Sequence, residues 1–184
     1  MTDQDAGIES VRTLENVRQI REYTSEPVAD DMLHQLLEVA RWSGSYQNTQ
    51  PWQFVVVTDK ATLQSISEAK DSINWVAKVP IAIAIVLNGD NEVNEAHDLG
   101  RVTERLLIAA KFLGLGAGTA WLGAPEQQTR IKQLLAVPEE RTLRSVVAVG
   151  HPQPGATQKL GRKTSGRKPL DELVNYGRFG QSQP

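Results

Sequence analysis

Residues 30–41 place Leu33, Leu36, Leu37 and Ala40 at i, i+3, i+4 and i+7, one face of an α-helix. Pro27 lies just ahead, and Asp30 and Asp31 fall in the first turn, where acidic charge complements the helix dipole. The β-branched run at 54–58 predicts a buried strand, and 60–69 a short helix. Ile-Ala-Ile-Ala-Ile-Val-Leu at 81–87, closed by Asn88-Gly89-Asp90, predicts a second buried strand. The helix over 94–114 carries Leu99, Val102, Leu106, Leu107, Ile108, Ala109, Ala110, Phe112 and Leu113. Its second half is apolar nearly all round, so it is expected to be the most buried helix, part of it covered by another subunit. Gly114-Leu-Gly-Ala-Gly118 reads as the break after it, followed by a short strand at 119–122 and a helix opened by Pro125 and running to about 136. A third clear strand at 145–149 stops at Gly150-His151-Pro152. Strands alternating with helices predict a mixed α/β or α+β sheet.

Composition narrows the class. The 184 residues amount to one domain, with neither repeat nor linker. Twenty Lys+Arg against 22 Asp+Glu argue against a general nucleic-acid or membrane-surface protein. The absence of cysteine removes disulfides, thiolate metal sites and cysteine nucleophiles, and fits a reducing compartment. An acidic, polar start and no apolar run longer than nine residues lead to the expectation of a cytoplasmic protein. From 151 to 168 the chain carries Lys159, Arg162, Lys163, Arg167 and Lys168 with no acid, a basic loop ahead of a C-terminal arm at 169–184. Read by itself, that loop is either solvated or a phosphate-binding element.

Three familiar motifs fail. Glycines 114, 116 and 118 lack the G-x-G-x-x-G spacing, because Thr119 stands where a glycine is needed, and they follow a helix rather than a strand. Gly161 to Gly166 has P-loop glycine spacing, but Arg167-Lys168-Pro169 follows where Lys-Ser/Thr and a helix belong. His34, His97 and His151 have no metal-ligand spacing and read as surface or capping residues. Two segments remain. Residues 17–28 flank Ile20 with Arg18 and Arg21, and residues 41–54 crowd tryptophans, serines and amides into one loop. The loop either binds something flat and polar-edged or is a polar turn with Trp52 plugging the core.

Taken together, the segments resemble the FMN-dependent nitroreductase family, whose signature runs R-R-S-x-R, a helix, then P-S-x-x-N-x-Q-P-W. Arg18, Arg21 and Pro27-Val28 match, followed by Ser45, Asn48 and Gln50-Pro51-Trp52. Gly114-Leu-Gly with Trp121-Leu122-Gly123 is a third match, and Gly150-His-Pro with residues 167–174 a fourth. The four matches run in order over nearly the whole chain.

The resemblance implies an α+β fold with a mixed sheet flanked by helices. It also implies a homodimer formed through long central helices, with FMN at the interface. It assigns Arg18 and Gln19 to the FMN phosphate and ribityl side, with Arg167 and Lys168 reaching the same phosphate. Arg21 is the cation beside N1 and O2 of the flavin, where reduction places negative charge. Leu122 and Gly123, next to Trp121, present backbone N–H groups toward N5. Gly44, Ser45, Tyr46 and Asn48 approach the ring from the other subunit, and Trp42, Tyr46 and Trp75 wall the pocket. For Trp75, a core or dimer contact is an equal reading. The implied activity is NAD(P)H-dependent reduction of nitroaromatic, quinone or similar small acceptors through flavin N5. No protein residue is expected to be catalytic in its own right. An FMN-binding storage or regulatory protein without turnover, or a fold that has lost its flavin, are the rivals. Val17 and Gln19 stand in place of the family's arginine and serine, and one lost phosphate cation costs about 1.5–3 kcal/mol. Arg18, or a tail residue such as Arg162 or Lys163, is left to compensate. Gly44 replaces a proline, which is expected to leave that loop less rigid.

Overall fold

The computed structural model describes residues 3–156 and 166–181. In chain order the elements are α1 (Asp3–Glu15), α2 (Asp30–Arg41), β1 (Gln53–Val57), α3 (Lys60–Ser67), β2 (Ile81–Leu87), α4 (Glu92–Phe112), β3 (Gly116–Trp121), α5 (Pro125–Leu134) and β4 (Thr142–Gly150). Short 3₁₀ turns occupy Tyr46–Asn48, Asp71–Lys78 and Leu170–Glu172. Side-chain caps set two helix starts: Asp59 accepts the Thr62 N–H ahead of α3, and Asn91 accepts the Asn94 N–H ahead of α4.

The strands form one sheet in the order β1-β2-β4-β3. The α+β class is as expected, but the expected mixture of strand directions is not present among the described residues, where every pairing is antiparallel. The continuous apolar run of β2 records burial on both faces, and burial does not encode direction. Ile81, Ile83, Ile85 and Leu87 join α2 and α4 in one core layer. Ala82, Ala84 and Val86 face α3, the 71–78 turn and α5 in a second. The sheet is therefore the middle of three layers, with the bulky residues of β2 toward α4.

Several element bounds differ from the sequence reading. Strand β3 begins at Gly116, so only Gly114 (φ +72°) ends the helix. Gly116 and Gly118 lie inside the strand, where a Cβ would strike the side chain and carbonyl of Ile20 respectively. Strand β4 is longer than expected, and α1 and the 71–78 turn were not foreseen. The second half of α4 is not buried all round: Phe112 is 56% exposed, and Ile108 is only partly covered. With Val39 of α2 they border an open hollow of about 500 Å³. Residues 166–181 run along the surface and leave Leu170, Leu173, Tyr176 and Phe179 exposed. Lys159, Arg162 and Lys163 of the basic loop, and most of the rejected P-loop-like segment, lie outside the described residues.

Candidate functional site

Residues 17–24 cross the end of the sheet as a strap. The Ile20 N–H donates to the Ala117 carbonyl (2.8 Å), and the Thr119 N–H donates to Gln19 Oε1 (3.2 Å). Thr24 N–H donates to His151 O (2.9 Å), and the Gln153 amide groups donate to the carbonyls of Glu22 and Tyr23, each at 3.0 Å. Ile20 and Tyr23 face inward and are buried, which turns Arg18, Gln19 and Arg21 outward. The Tyr23 hydroxyl donates to the Ile20 carbonyl, with the Ala148 carbonyl 3.4 Å away. Burial pushes the Tyr23 phenol well above its usual pKa and the Arg21 charge only partly opposes this, so Tyr23 remains a neutral donor pinning the strap.

Two openings flank the strap. One is a cleft of about 90 Å³ lined by Asn16, Arg18, Leu107, Lys111 and Gly116. There Arg18 Nη1 donates to the carbonyls of Glu15 (2.6 Å) and Val17 (2.7 Å), capping the end of α1. Val17, where an arginine was missed, packs against the core. The other opening is a cavity of about 940 Å³ lined by Arg21, Asn74, Trp75, Lys78 and Gln153 among others. Beyond the strap, Trp121 and Gly123 are exposed, while Leu122 is fully buried. The expectation that Leu122 offers its N–H outward is corrected. That N–H donates to Arg144 O (2.8 Å), and the Leu122 carbonyl accepts from Gln128 Nε2 (3.0 Å). Strand pairing along β4 has consumed it. Gly123 remains as the outward backbone position.

The 42–50 loop is built on α4. Asp98, 1% exposed, accepts the Tyr46 N–H (3.0 Å) and sits 3.7 Å from Arg101 Nη1. Arg105 Nη1 donates to the Trp42 carbonyl (2.9 Å), and the Gln50 N–H donates to Ser45 Oγ (2.9 Å). The Arg101 guanidinium occupies the space a Cβ at Gly44 would need. The glycine therefore admits a clamp, and the expected loosening of this loop gives way to a loop tied at several points. Gln47, Asn48 and Gln50 all have positive φ, an uncommon conformation for side-chain-bearing residues and one that the surrounding contacts must hold. Trp52 is 8% exposed and does plug the core, while Trp42 is 69% exposed and Tyr46 half exposed. The turn with Trp52 plugging the core is thus present, and Trp42 and Tyr46 are left at the surface.

The strap and the loop do not meet within one chain. Asp98, Arg101 and Arg105 hold the loop on one side of α4, whereas Leu107 and Lys111 border the strap's cleft. At about 100° and 1.5 Å per residue, Leu107 lies about 180° around the axis from Asp98, and Lys111 about 20 Å along it. The structure therefore places Arg18, Gln19 and Arg21 on the strap along β3, with Gln19 bonded at Thr119, two residues before Trp121, and Gly44, Ser45, Tyr46 and Asn48 at another place. Arg167 and Lys168 are exposed, with no contact to the strap among the described residues. Sequence reasoning missed Lys111, Asn74 and Lys78. Their signals were faint: a cation in the last turn of a helix, and a polar stretch whose apolar Ile73 and Val76 are three apart. His34 and His97 lie at the surface, and no group of His, Asp or Glu among the described residues could hold a metal ion.

A model of the nitroreductase family matches residues 14–86. A protein of Archaeoglobus fulgidus provisionally designated an NADH dehydrogenase/NAD(P)H nitroreductase is 32% identical over 155 residues, covering 79% of this chain and 86% of its own. The FMN-dependent nitroreductase of Clostridium difficile superimposes with a TM-score of 0.81 at 21% identity, over 92% of this chain and 99% of its own. A provisionally designated nitroreductase of Desulfovibrio desulfuricans, solved in complex with FMN, does so with a TM-score of 0.74 at 28% identity, over 92% and 97%.

Proposed function

The chain belongs to the nitroreductase family, and from that premise we propose that it is a homodimeric, FMN-dependent oxidoreductase using NAD(P)H to reduce small acceptors such as nitroaromatics or quinones. The observation that carries this reading is the strap, which turns Arg18, Gln19 and Arg21 outward along β3, with Gln19 bonded to Thr119 two residues before the exposed Trp121. The residues fit the cofactor. Thr119 Oγ1, adjacent to the Gln19 contact, is buried without a hydrogen-bond partner and is free to take one from a ligand. Arg18 and Lys111 line one cleft, so Lys111 supplies a second cation where Val17 has turned into the core. Arg167 and Lys168 are assigned to the same phosphate on the family pattern alone.

When bound, FMN supplies hydride exchange at N5 between the nicotinamide and the acceptor. Arg21 stabilises negative charge at the pyrimidine edge of the ring, Gly123 presents its backbone, and Trp121 offers an apolar surface to a flat ligand. The 44–48 loop covers the ring from the second subunit and excludes water. Two features support the dimer: the open apolar hollow at Val39, Ile108 and Phe112, and the separation of strap and loop across α4.

The visible spectrum of the purified protein, taken anaerobically before and after NADH and then NADPH, tests the reading. A flavin band that bleaches with either, and returns on adding a quinone, is expected. A band that persists with both would indicate flavin binding without turnover, and no band after adding FMN would overturn the proposal.

A further inference from the structure

Trp75 lines the cavity of about 940 Å³, on the 71–78 turn. Three contacts fix its ring. Its Nε1–H donates to the Ser72 carbonyl (3.1 Å), and it stacks on Tyr23 with centroids 6.4 Å apart and planes at 28°. Its Cη2 edge lies 3.2 Å from where a Cβ on Gly118 would be, so the missing side chain is what admits it. The Arg21 guanidinium lies over the ring, 5.7 Å from its centroid. Arg21 also donates a long hydrogen bond to Gln19 Oε1, at 3.5 Å.

An aromatic face orients a guanidinium without cancelling its charge, which a carboxylate in the same place would do. Arg is the better cation for this because its plane stacks and it cannot be deprotonated. We propose that Trp75 is a positioning residue. It holds Arg21 as an oriented cation, and through Arg21 it favours the reduced, anionic flavin over the oxidised one. This deepens the reading above and rests on it. It also explains why a tryptophan sits on a polar turn beside the strap: its ring is braced by Tyr23 and Gly118, the residues that pin the strap to the sheet.

The test is the ratio of affinities for oxidised and reduced FMN, measured by anaerobic titration of flavin-free protein. Trp75→Leu and Trp75→Phe are compared in the wild-type and Arg21→Ala backgrounds. In the wild-type background Trp75→Leu is expected to weaken reduced-FMN binding relative to oxidised by roughly two- to fivefold, with Trp75→Phe intermediate. In the Arg21→Ala background both substitutions should leave the ratio unchanged. An equal effect of Trp75→Leu in both backgrounds would mean that it touches the flavin directly or only supports the fold, and would overturn the proposal. So would a ratio that no Trp75 variant moves. A thermal-melt double-mutant cycle on the flavin-free protein reads the Arg21–Trp75 contact itself, and absence of coupling there also refutes it. Failure of the wild-type protein to bind FMN is a separate result, which removes the reading on which this rests.

Discussion

Gly118 shows how much a single missing Cβ does in this molecule. An alanine there would strike the Ile20 carbonyl and crowd Trp75 and Tyr23, and a backbone carbonyl bonded into the strap cannot swing aside as a side-chain tip can. We expect Gly118→Ala to destabilise by about 1–3 kcal/mol in urea denaturation and to weaken FMN binding with it. At Gly123 the added methyl meets only the Trp121 indole, at 3.1–3.4 Å, and that ring is half exposed and can give way. Gly123→Ala should stay within about 0.5 kcal/mol of wild type. Equal losses at the two sites would refute the account of the strap. The sequence reading took Gly116 and Gly118 for a helix stop, because a glycine announces that something needs room and not what. Here the cause is a segment about a hundred residues away. Arg18 and Arg21 were legible for the opposite reason: their spacing about Ile20 is a local pattern, and the strap keeps it.

At the scale of elements, α4 does two jobs. One side packs the core, and another carries the loop. Asp98 is the joint between them, and its carboxylate accepts a loop N–H while fully buried. Replacing Asp98 by Ala orphans that N–H, and we expect a loss of about 1–3 kcal/mol in thermal melts of the flavin-free protein. Arg105→Ala removes a bond made by an exposed side chain and should cost about 1 kcal/mol or less. A negligible effect of Asp98→Ala would mean the loop keeps its left-handed residues without the helix. Elements with a strong local pattern could be read in advance, α2 from its apolar stripe and β2 and α4 from their dense apolar runs. Helix α1 could not, because Ile8, Val11 and Leu14 leave its apolar stripe exposed and its pattern weak. The 71–78 turn was lost because only Ile73 and Val76 of its eight residues are buried, a pattern too short to stand out.

For the whole molecule the decisive geometry is that one chain holds the strap and the 42–50 loop, the two halves of the proposed site, on different sides of α4. The sequence named both halves and could not place them, since the distance between two motifs in space is a property of the packing between them. If each flavin site takes its strap from one subunit and its loop from the other, defects in the two halves must complement. Arg21→Ala damages every strap, and a Tyr46→Ala/Asn48→Ala double substitution damages every loop, so either homodimer alone should reduce its acceptor slowly. A heterodimer of the two variants, purified through different tags, contains one site with both lesions and one with neither. It is therefore expected to recover about half of the wild-type activity per dimer. Were strap and loop of the same chain to meet, each site of the heterodimer would carry one lesion, and its activity would be no better than the mean of the two variant homodimers. Phe112→Glu sharpens the result, because a charge in the open hollow beside Ile108 and Val39 should separate the subunits and weaken FMN binding together. Size-exclusion chromatography and FMN titration of that variant would show whether the two losses coincide, as a site shared between subunits requires.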